Sequence, residues 1–469
     1  MSLTVVCISA SVWESTLFGQ MKKAKEPRGK LFFLFVSTMV STIIFILYVT
    51  GTSPVEYFSP PRPEPPKICP VGTAEHTITP LNNTDHFLVS AFMDQRVKGF
   101  DLRIISIFKT NSAKPLYCLF CCAGQLSNTT PTNILQHTEK FGFLFVTADI
   151  MCQIPQNCNA THVTLQTKPE RVKALDQLWL PIRNQKTKGN EEKKLQFNFT
   201  VCISNLFGGI NNVLQFVQTL EMYRLLGVDR VVIYNTSCGP ELDLLLKSYN
   251  RTGFLEIVPW PIDLFLSPSW GWLYSVSGGD VHYFGQLATL NECVYRSMDR
   301  SRYVLLNDID EIIMPYQHNN LMSLMNTLQQ QHPNTGVFLI ENHIFPKTVF
   351  EPSKRFHLPK WDKVPGVNIL EHIYREDPDR TKYHPHKLIV QPRLVEQVSV
   401  HDVLKAFGTT FKVPPDVCRI IHVRVYLRGK LDAKELNEDK RLWDFNEKLI
   451  PSVDKALERA GLLRSEPAL

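Results

Sequence analysis

The sequence predicts an α/β domain with an open sheet, preceded by a β-rich module and an N-terminal transmembrane helix. Three observations support this prediction. An uncharged apolar run lies near the N-terminus, short apolar strands fill the region from about residue 85, and strand and helix patterns alternate from residue 196 onward. The chain has 469 residues, 44% of them hydrophobic, which is enough for two or more domains.

The apolar run at residues 31–50 carries no charge and, as a helix of roughly 30 Å, is long enough to cross a bilayer. Lys and Arg residues cluster between 22 and 30, and none follows the run until Arg62. The positive-inside bias therefore predicts a cytoplasmic tail at 1–30, a signal anchor at 31–50 and a luminal remainder. A cleaved signal peptide is the alternative, although the run is longer than a usual signal core.

Two further features agree with a luminal location. Ten of the eleven cysteines lie beyond residue 50, and an even number favours disulfides in an oxidising compartment. Zinc is the alternative for the cysteines at 118–158, but no second CxxC and no paired histidines accompany them. Six N-x-S/T sequons also follow the apolar run, at Asn82, Asn128, Asn159, Asn198, Asn235 and Asn250.

The region after the anchor divides into a stem and a β-rich module. Residues 51–84 contain the proline-rich stretch SPPRPEPPKICP, which is typical of an extended spacer. Residues 85–195 contain short apolar runs such as LRIISIF, separated by polar, Gly or Pro residues, and this pattern predicts strands.

Residues 196–430 alternate between strand and helix patterns. FTVCIS at 199–204 is a buried strand, 211–227 has helical spacing, and VVIY at 231–234 is the next strand. Such units form a parallel sheet with a ligand crevice at the carboxyl ends of its strands. Neither G-x-G-x-x-G nor a Walker motif occurs, and residues 431–469 are predicted to form a helical tail.

The net charge of +6 is small for this length, and no basic stripe interleaved with aromatic residues occurs. Nucleic acid is therefore not predicted as a partner.

The stretch YVLLNDIDEIIMP at 303–315 places three acids directly after a buried strand. Asp308, Asp310 and Glu311 repel one another and are costly to desolvate, so this segment requires a cation. Mn²⁺ or Mg²⁺ suits such oxygen ligands, especially when substrate phosphates complete the shell. A D-x-D pair alone is a weak signal, and a polar strand end or a calcium site is the alternative.

Several longer stretches resemble glycosyltransferase family 92: VCISNLFGGINNVLQFVQTLEMYRLLGVDRVVIYN, GQLATLNECVYRSMDRSRYVLLNDIDEIIMP, HKLIVQPRLVEQVSVHDV and IIHVRVY. The resemblance covers roughly residues 85–430. It implies a GT-A catalytic domain, Rossmann-like and nucleotide-sugar-binding, in a type II Golgi membrane enzyme with a luminal catalytic domain. It also implies inverting transfer of galactose from UDP-galactose to galactose or fucose on glycoprotein N-glycans, in a β1,4 linkage.

The resemblance assigns roles to individual residues. Asp308 and Asp310 become the D-x-D pair that holds Mn²⁺ or another divalent cation, and Asp308 also contacts the donor. His401 completes the metal site, with His422 as the rival ligand. Tyr234 and Asn235 are expected near the uridine.

Inversion requires a carboxylate base that deprotonates the acceptor hydroxyl. Glu376 and Asp377 are the predicted catalytic pair because they lie between the D-x-D motif and His401 in the chain, and Glu341 and Glu371 are the other candidates. Two tryptophans at 270 and 272 lie in a Gly-containing loop, where they either stack on an acceptor sugar or belong to the core.

The predicted partners are glycan acceptors on glycoproteins and the Golgi membrane, and a homodimer is kept as an option. Three other functions stay open. The chain transfers a different UDP-sugar, or it is a non-catalytic luminal lectin-like scaffold, or it is a calcium-dependent adhesion protein.

Overall fold

The computed structural model describes residues 69, 77–112, 114–170, 178–185, 195–425 and 433–464. The predicted cytoplasmic tail, the transmembrane segment at 31–50 and most of the predicted stem lie outside these residues. No helix in the described ranges is both long and apolar enough to cross a membrane.

The N-terminal part of the described chain, residues 79–183, forms one antiparallel-rich sheet of nine strands. Its strands are β1 (Thr79–Pro80), β2 (Phe87–Met93), β3 (Leu102–Lys109), β4 (Tyr117–Cys122), β5 (Gln125–Leu126), β6 (Thr130–Gln136), β7 (Phe145–Cys152), β8 (Ala160–Gln166) and β9 (Leu180–Arg183). They pair in the order β1-β2-β3-β7-β6-β4-β8-β9, and β5 pairs with β4. Because β9 also pairs with β2, the sheet closes on itself.

The remaining strands are β10 (Phe197–Leu206), β11 (Arg230–Asn235), β12 (Leu255–Pro259), β13 (Ser301–Asn307), β14 (Glu311–Pro315), β15 (Thr335–Pro346), β16 (Tyr374–Arg375), β17 (His386–Val390), β18 (Val395–Val398), β19 (Val403–Ala406), β20 (Thr409–Lys412), β21 (Cys418–Arg424) and β22 (Asn437–Glu438). Nine of them form a second sheet in the order β12-β11-β10-β13-β17-β15-β21-β14, with β20 paired to β15. Two small ribbons, β16-β22 and β18-β19, lie apart from this sheet.

The helices are α1 (Val213–Leu225), α2 (Pro240–Arg251), α3 (Tyr274–Ser277), α4 (Gln286–Ser297), α5 (Leu321–Gln331) and α6 (Asn446–Arg459). Short 3₁₀ helices span Ile262–Leu264, His282–Gly285, Pro359–Trp361, Ile369–Glu371, Pro392–Leu394, Ala433–Glu435 and Arg441–Phe445. Local sequence accounts for several ends. Pro240 starts α2, where its missing N–H costs nothing, and the Asn320 side chain caps α5 by accepting from the Ser323 N–H at 2.8 Å.

The second sheet has a parallel half and a mixed half. Strands β10 to β13 are mutually parallel, and α1, α2 and α4 connect them, which confirms the mixed α/β class. Beyond β13, strand β17 runs antiparallel to it. The carboxyl ends of four strands therefore meet at one edge of the sheet, where a ligand crevice is expected.

The segment after residue 430 packs onto the α/β layers. Leu449, Val453 and Leu457 of α6 are buried in the same apolar cluster as α1 and α2. Arg459 also donates to the Ser248 hydroxyl of α2 at 3.1 Å. The proposed division of the chain at 195/196 and 430/431 stays a prediction.

Four disulfides form among the described cysteines, which confirms disulfides rather than zinc. They join Cys69 to Cys121, Cys118 to Cys152, Cys122 to Cys158 and Cys202 to Cys293. The last one ties β10 to α4 inside the second sheet's core. Cys238 and Cys418 are free.

A buried ion cluster joins the first sheet to the β18-β19 ribbon. Arg103 of β3 is fully buried and pairs with Asp94 at 2.9 Å, Asp149 at 2.5 Å and Glu396 of β18 at 2.9 Å. Arg96 contacts the ribbon as well and donates to the Val395 carbonyl at 2.8 Å. An unpaired buried charge is costly, so these contacts fix the position of the ribbon on the first sheet.

Candidate active site

The acidic segment lies where β13 leaves the sheet. The strand ends at Asn307, the turn carries Asp308 and Asp310, and β14 begins with Glu311. The side chain of Asp308 is 37% exposed and that of Asp310 is 32% exposed. Both carboxylates are therefore accessible at the carboxyl edge of the parallel strands, whereas Glu311 is buried.

Lys387 is the first internal cation that makes this cluster tolerable. It lies on β17, which pairs with β13, and it is 2% exposed. Its Nζ is 2.6 Å from Oδ2 of Asp308 and 3.2 Å from Oε2 of Glu311. Burial alone would lower the pKa of Lys387, but the two carboxylates outweigh burial and raise it.

His422 is the second basic side chain that contacts the cluster. It lies on β21 directly opposite Glu311 of β14. Its Nε2 is 3.2 Å from Asp310, and its Nδ1 is 3.3 Å from Glu311. Burial lowers the pKa of this imidazole, but Asp310 and Glu311 outweigh burial and raise it. The two carboxylates thus favour the protonated form of His422, and its role as the rival metal ligand stays a prediction.

The pKa values of Asp310 and Glu311 respond differently to this environment. Burial raises the pKa of Asp310, but His422 more than compensates, and the net pKa is lowered. Burial also raises the pKa of Glu311, Lys387 opposes it, and Asp308 adds to the increase, so the net pKa is raised. Asp310 is thus held more firmly in its charged form than Glu311 is.

His401 lies close to this cluster, and one of its two ring nitrogens already makes a hydrogen bond. Its Nδ1 donates to the carbonyl of His386 at 3.0 Å, so Nε2 carries the lone pair. Burial, reinforced by the positive charge of Lys387, lowers the pKa of His401 to about 4. The imidazole is neutral at neutral pH, which a metal ligand requires.

The residues present fit a divalent ion that is shared with a substrate. No three His, Cys, Asp or Glu side chains of the described ranges are grouped so that they alone could hold a metal. Two partly exposed carboxylates and a neutral imidazole are a donor set that suits a hard cation whose remaining ligands are phosphate oxygens. The metal roles of Asp308, Asp310 and His401 stay predictions.

Tyr283 is a site residue that the sequence analysis missed. Burial raises the pKa of its phenol, and the carboxylates of Asp308 and Asp310 raise it further, so the phenol lies near both acids. Its backbone is left-handed, with φ of 38°. The neighbouring Gly285 is a turn signal in the sequence, but nothing there indicates that a tyrosine would adopt this conformation.

Gln286 and Asn291 of α4 make supporting hydrogen bonds behind the acids. The Gln286 amide donates to the Ser204 hydroxyl at 3.0 Å and to Oδ1 of Asp308 at 3.4 Å. Asn291 donates to the carbonyl of Val398 at 2.8 Å.

The assignment of Tyr234 to the uridine site needs correction. Its side chain is 1% exposed, its hydroxyl donates to the buried Glu292 carboxylate, and its ring packs edge-on against Trp260. The phenol therefore points into the core. Asn235, one residue later, lies at the carboxyl end of β11, and its Oδ1 has no hydrogen-bond partner in the described part of the chain. Its predicted role stays open.

The two predicted catalytic acids lie in different surroundings. Glu376 lines a cavity of about 220 Å³ whose wall includes Asn342 and Arg424. The Asn342 amide is 3.1 Å from Nδ1 of His422, so this cavity borders the acidic cluster. Asp377 is 54% exposed and pairs with Arg375, and it accepts from Asn437 at 3.0 Å.

The other two acid candidates lie in polar clusters of their own. Glu341 is buried and pairs with Arg380 at 2.8 Å and with His343 at 2.9 Å. Glu371 is 3.1 Å from His357. Neither of them is among the residues that line the cavity beside the acidic cluster, whereas Glu376 is.

An acidic turn at the carboxyl edge of a parallel sheet, with neutral and cationic side chains around it, belongs to the class of α/β enzymes that bind ligands at the ends of their strands. Residues 197–460, more than half of the chain, match the model of glycosyltransferase family 92, and the chain belongs to this family. The resemblance drawn from the sequence is confirmed, and the protein is a glycosyltransferase by family.

Two Caenorhabditis elegans proteins are similar to this chain. One is named beta-1,4-galactosyltransferase galt-1 and is 21% identical over 235 residues, which cover 49% of this chain and 51% of that protein. The other is a glycosyltransferase family 92 protein, 24% identical over 242 residues, which cover 51% of this chain and 45% of that protein. The chain thus spans about half the length of the curated relatives it matches.

Two solved structures are more distantly similar. Staphylococcus aureus TarS in complex with UDP-GlcNAc is 11% identical and covers 55% of this chain and 66% of its own, with a TM-score of 0.29. The mannosyltransferase PcManGT from Pyrobaculum calidifontis, in complex with GDP-Man and Mn²⁺, is 12% identical and covers 61% and 81%, with a TM-score of 0.27. Likenesses this weak carry no argument about fold or ligands.

Proposed function

We propose that this protein is an inverting galactosyltransferase of the GT-A class. It transfers galactose from UDP-galactose to a galactose or fucose residue of a glycoprotein N-glycan and forms a β1,4 linkage. Family membership and the galactosyltransferase name of one relative support this proposal. The observation that carries it is the pair of accessible carboxylates, Asp308 and Asp310, at the carboxyl edge of the parallel strands.

In this proposal Asp308, Asp310 and His401 hold Mn²⁺ or a similar cation together with the diphosphate of the donor. When bound, that cation neutralises the charge that develops on the leaving diphosphate. Lys387 holds the Asp308 carboxylate in place, at 2.6 Å, and adds a positive charge beside the diphosphate site. Asn235, at the end of β11, is kept as a uridine contact.

Glu376 is the general base of the proposed reaction. Its carboxylate takes the proton from the acceptor hydroxyl as the acceptor oxygen forms a bond to C1 of galactose. The bond between C1 and the diphosphate oxygen breaks on the opposite face, and UDP leaves. The cavity that Glu376 lines provides room for an acceptor on this side of the acidic cluster.

We also propose a single-pass type II location in the Golgi membrane, with the described residues in the lumen. Four disulfides support an oxidising compartment, and five of the six sequon asparagines are exposed. The charge asymmetry around residues 31–50 supports the orientation.

The test is transfer by the purified full-length chain. It is incubated with Mn²⁺, a galactose-terminated N-glycan and a panel of UDP-sugars that includes UDP-galactose, and both UDP release and product linkage are measured. We expect acceptor-dependent UDP release only with UDP-galactose and a new β1,4 linkage by NMR. Transfer of another sugar contradicts the donor assignment, and glycan binding with no turnover supports the lectin-like alternative.

A further inference from the structure

An aromatic wall formed by Phe141, Trp270, Trp272 and Tyr283 borders the acidic cluster. Trp270 is 66% exposed and Trp272 is 37% exposed. Two exposed tryptophans in one short loop are informative, since large aromatic side chains are usually buried unless they bind something.

The wall is continuous with the candidate site. The ring of Trp272 stacks on that of His401, with centroids 5.4 Å apart and planes 28° apart. Tyr283 has its ring centroid 6.4 Å from that of Trp272. His401 in turn donates to the carbonyl of His386, whose chain neighbour Lys387 pairs with Asp308. A ligand lying on the wall is therefore next to the imidazole that borders the acidic cluster.

Trp270 is held rigidly although its outer face is exposed. It packs edge-on against Phe207 at 5.5 Å and against Phe284 at 5.4 Å. Gly208 lies directly beneath it, and a Cβ at that position would be 2.5 Å from the indole ring. Only glycine permits this close approach, so the indole ring of Trp270 packs directly on the backbone at Gly208.

Residues with strained backbones, and a buried histidine whose ring makes no hydrogen bond in the described part of the chain, lie in the wall and next to it. Phe141, Tyr283 and Phe284 all have left-handed backbones, with φ of 50°, 38° and 55°. Among them lies His282, which is 3% exposed, and neither of its ring nitrogens has a hydrogen-bond partner among the described residues. Features that are costly to the fold persist chiefly at functional sites.

The β-rich sheet supplies part of the wall. Phe141 precedes β7, its carbonyl accepts from the Tyr274 N–H at 3.2 Å, and its ring is 4.8 Å from that of Trp272. The N–H of Phe145 also donates to the carbonyl of Asp280 at 3.0 Å. The first sheet therefore shapes a surface beside the acids of the second.

A pyranose ring matches this surface. One face of a galactose-like sugar is a continuous patch of C–H groups, which packs on a flat aromatic ring, and its rim of hydroxyls suits a phenol and carboxylates. We propose that the aromatic wall binds the acceptor sugar of the glycan, with its C–H face against Trp270 and Trp272. This inference rests on the proposed function, because it takes Asp308 and Asp310 to be the place of transfer.

The test uses Trp270, which packs away from His401 and so leaves the predicted metal site intact. In the full-length chain we compare Trp270→Ala, the conservative Trp270→Phe, and Phe350→Ala as a control at another exposed aromatic. Steady-state kinetics give KM for a galactose-terminated N-glycan and for UDP-galactose. Calorimetry gives UDP affinity, and saturation-transfer NMR detects contact with the galactose C–H protons.

We expect Trp270→Ala to raise the KM of the glycan about tenfold, with UDP affinity unchanged. Trp270→Phe should recover most of the loss, and Phe350→Ala should behave as wild type. An equal loss of UDP affinity would mean that the wall holds the uracil base, and an unchanged glycan KM in an active enzyme overturns the inference alone. If wild type transfers nothing but its saturation-transfer signal disappears in Trp270→Ala, the glycan site stands and the proposed function fails.

Discussion

The ammonium of Lys387 lies 2.6 Å from the carboxylate of Asp308, and the same ammonium is 3.2 Å from Glu311. A cation that makes the acidic segment tolerable is thus a side chain of the protein itself, and His422 pairs with Asp310 as well. In the proposed function, a metal at Asp308 and Asp310 would serve the donor diphosphate.

Lys387→Met should destabilise the protein because it leaves the buried Glu311 without its cation. His422 remains as a second partner of Glu311, and Asp308 is 37% exposed and partly screened. We therefore expect a loss near the lower end of the roughly 3–5 kcal/mol typical of broken buried pairs. Chemical denaturation measures the difference. Lys382→Met, at an exposed pair with Asp379, should change stability by less than about 0.5 kcal/mol. Equal stability of both variants would contradict this reading of the pair.

Asp310→Asn should abolish most transfer while the protein stays folded. The substitution removes one charge of the predicted metal site, and loss of one such electrostatic group typically costs about 10²–10³ in kcat. Asp416→Asn, which changes an exposed acid on a different surface, is the matched control. Manganese-dependent binding of UDP, measured by calorimetry, should be lost in Asp310→Asn alone. Retained binding would remove Asp310 from the metal site.

Glu376→Gln and Asp377→Asn separate the two predicted catalytic acids. We expect Glu376→Gln to lower kcat by about 10²–10⁴, the usual contribution of a general base, with little change in UDP affinity. Asp377→Asn should stay close to wild type, because its carboxylate is exposed and paired with Arg375. The reverse ranking would move the base to Asp377, and two active variants would exclude both residues.

The ion cluster around Arg103 predicts an acid-sensitive contact between the first sheet and the β18-β19 ribbon. Burial raises the pKa values of Asp94 and Asp149. Arg96 and Arg103 outweigh burial at Asp94, and His137 and Arg103 do so at Asp149, so both pKa values are lowered. Acids with lowered pKa values stabilise the fold above their unfolded pKa of about 3.9, and this stability is lost as the pH falls through their folded values.

Arg103→Met should therefore shift the acid-unfolding midpoint to higher pH, because Asp94 and Asp149 both lose the guanidinium that they share. Arg103→Lys, which retains the charge, should shift it less and serves if the Met variant fails to fold. Lys109→Met, on the same strand at an exposed pair with Asp85, is the control. Far-UV circular dichroism during an acid titration gives the midpoints, and identical midpoints for all variants would contradict a role for this cluster.

The six sequons should differ in whether they carry a glycan, because their asparagines differ in exposure. Asn82, Asn128, Asn159, Asn198 and Asn250 are exposed, whereas Asn235 is only partly exposed and lies at the carboxyl edge of β11. In protein from a secretory host, we expect glycans at exposed sequons and none at Asn235, as mapped by mass spectrometry after enzymatic deglycosylation. A glycan at Asn235 would place that edge away from the donor site, and a protein with no glycans would contradict the luminal proposal.

The parallel half of the second sheet and the position of the D-x-D turn could be predicted from the sequence, because both depend on local patterns. Helical spacing at 211–227 and a buried strand directly before Asp308 need no knowledge of distant residues. The family resemblance carried the same information as an ordered set of motifs.

The partners of the acids could not be predicted, because they come from strands far along the chain. Lys387 reaches Asp308 only because β17 pairs with β13, and His422 reaches Asp310 only because β21 pairs with β14 in a register that sets His422 opposite Glu311. Tyr234 shows the same limit, since its strand was predicted but its burial against Glu292 depends on how α4 packs on the sheet. Charge neutralisation in this site is a long-range property, set by strand pairing and helix packing that local sequence does not encode.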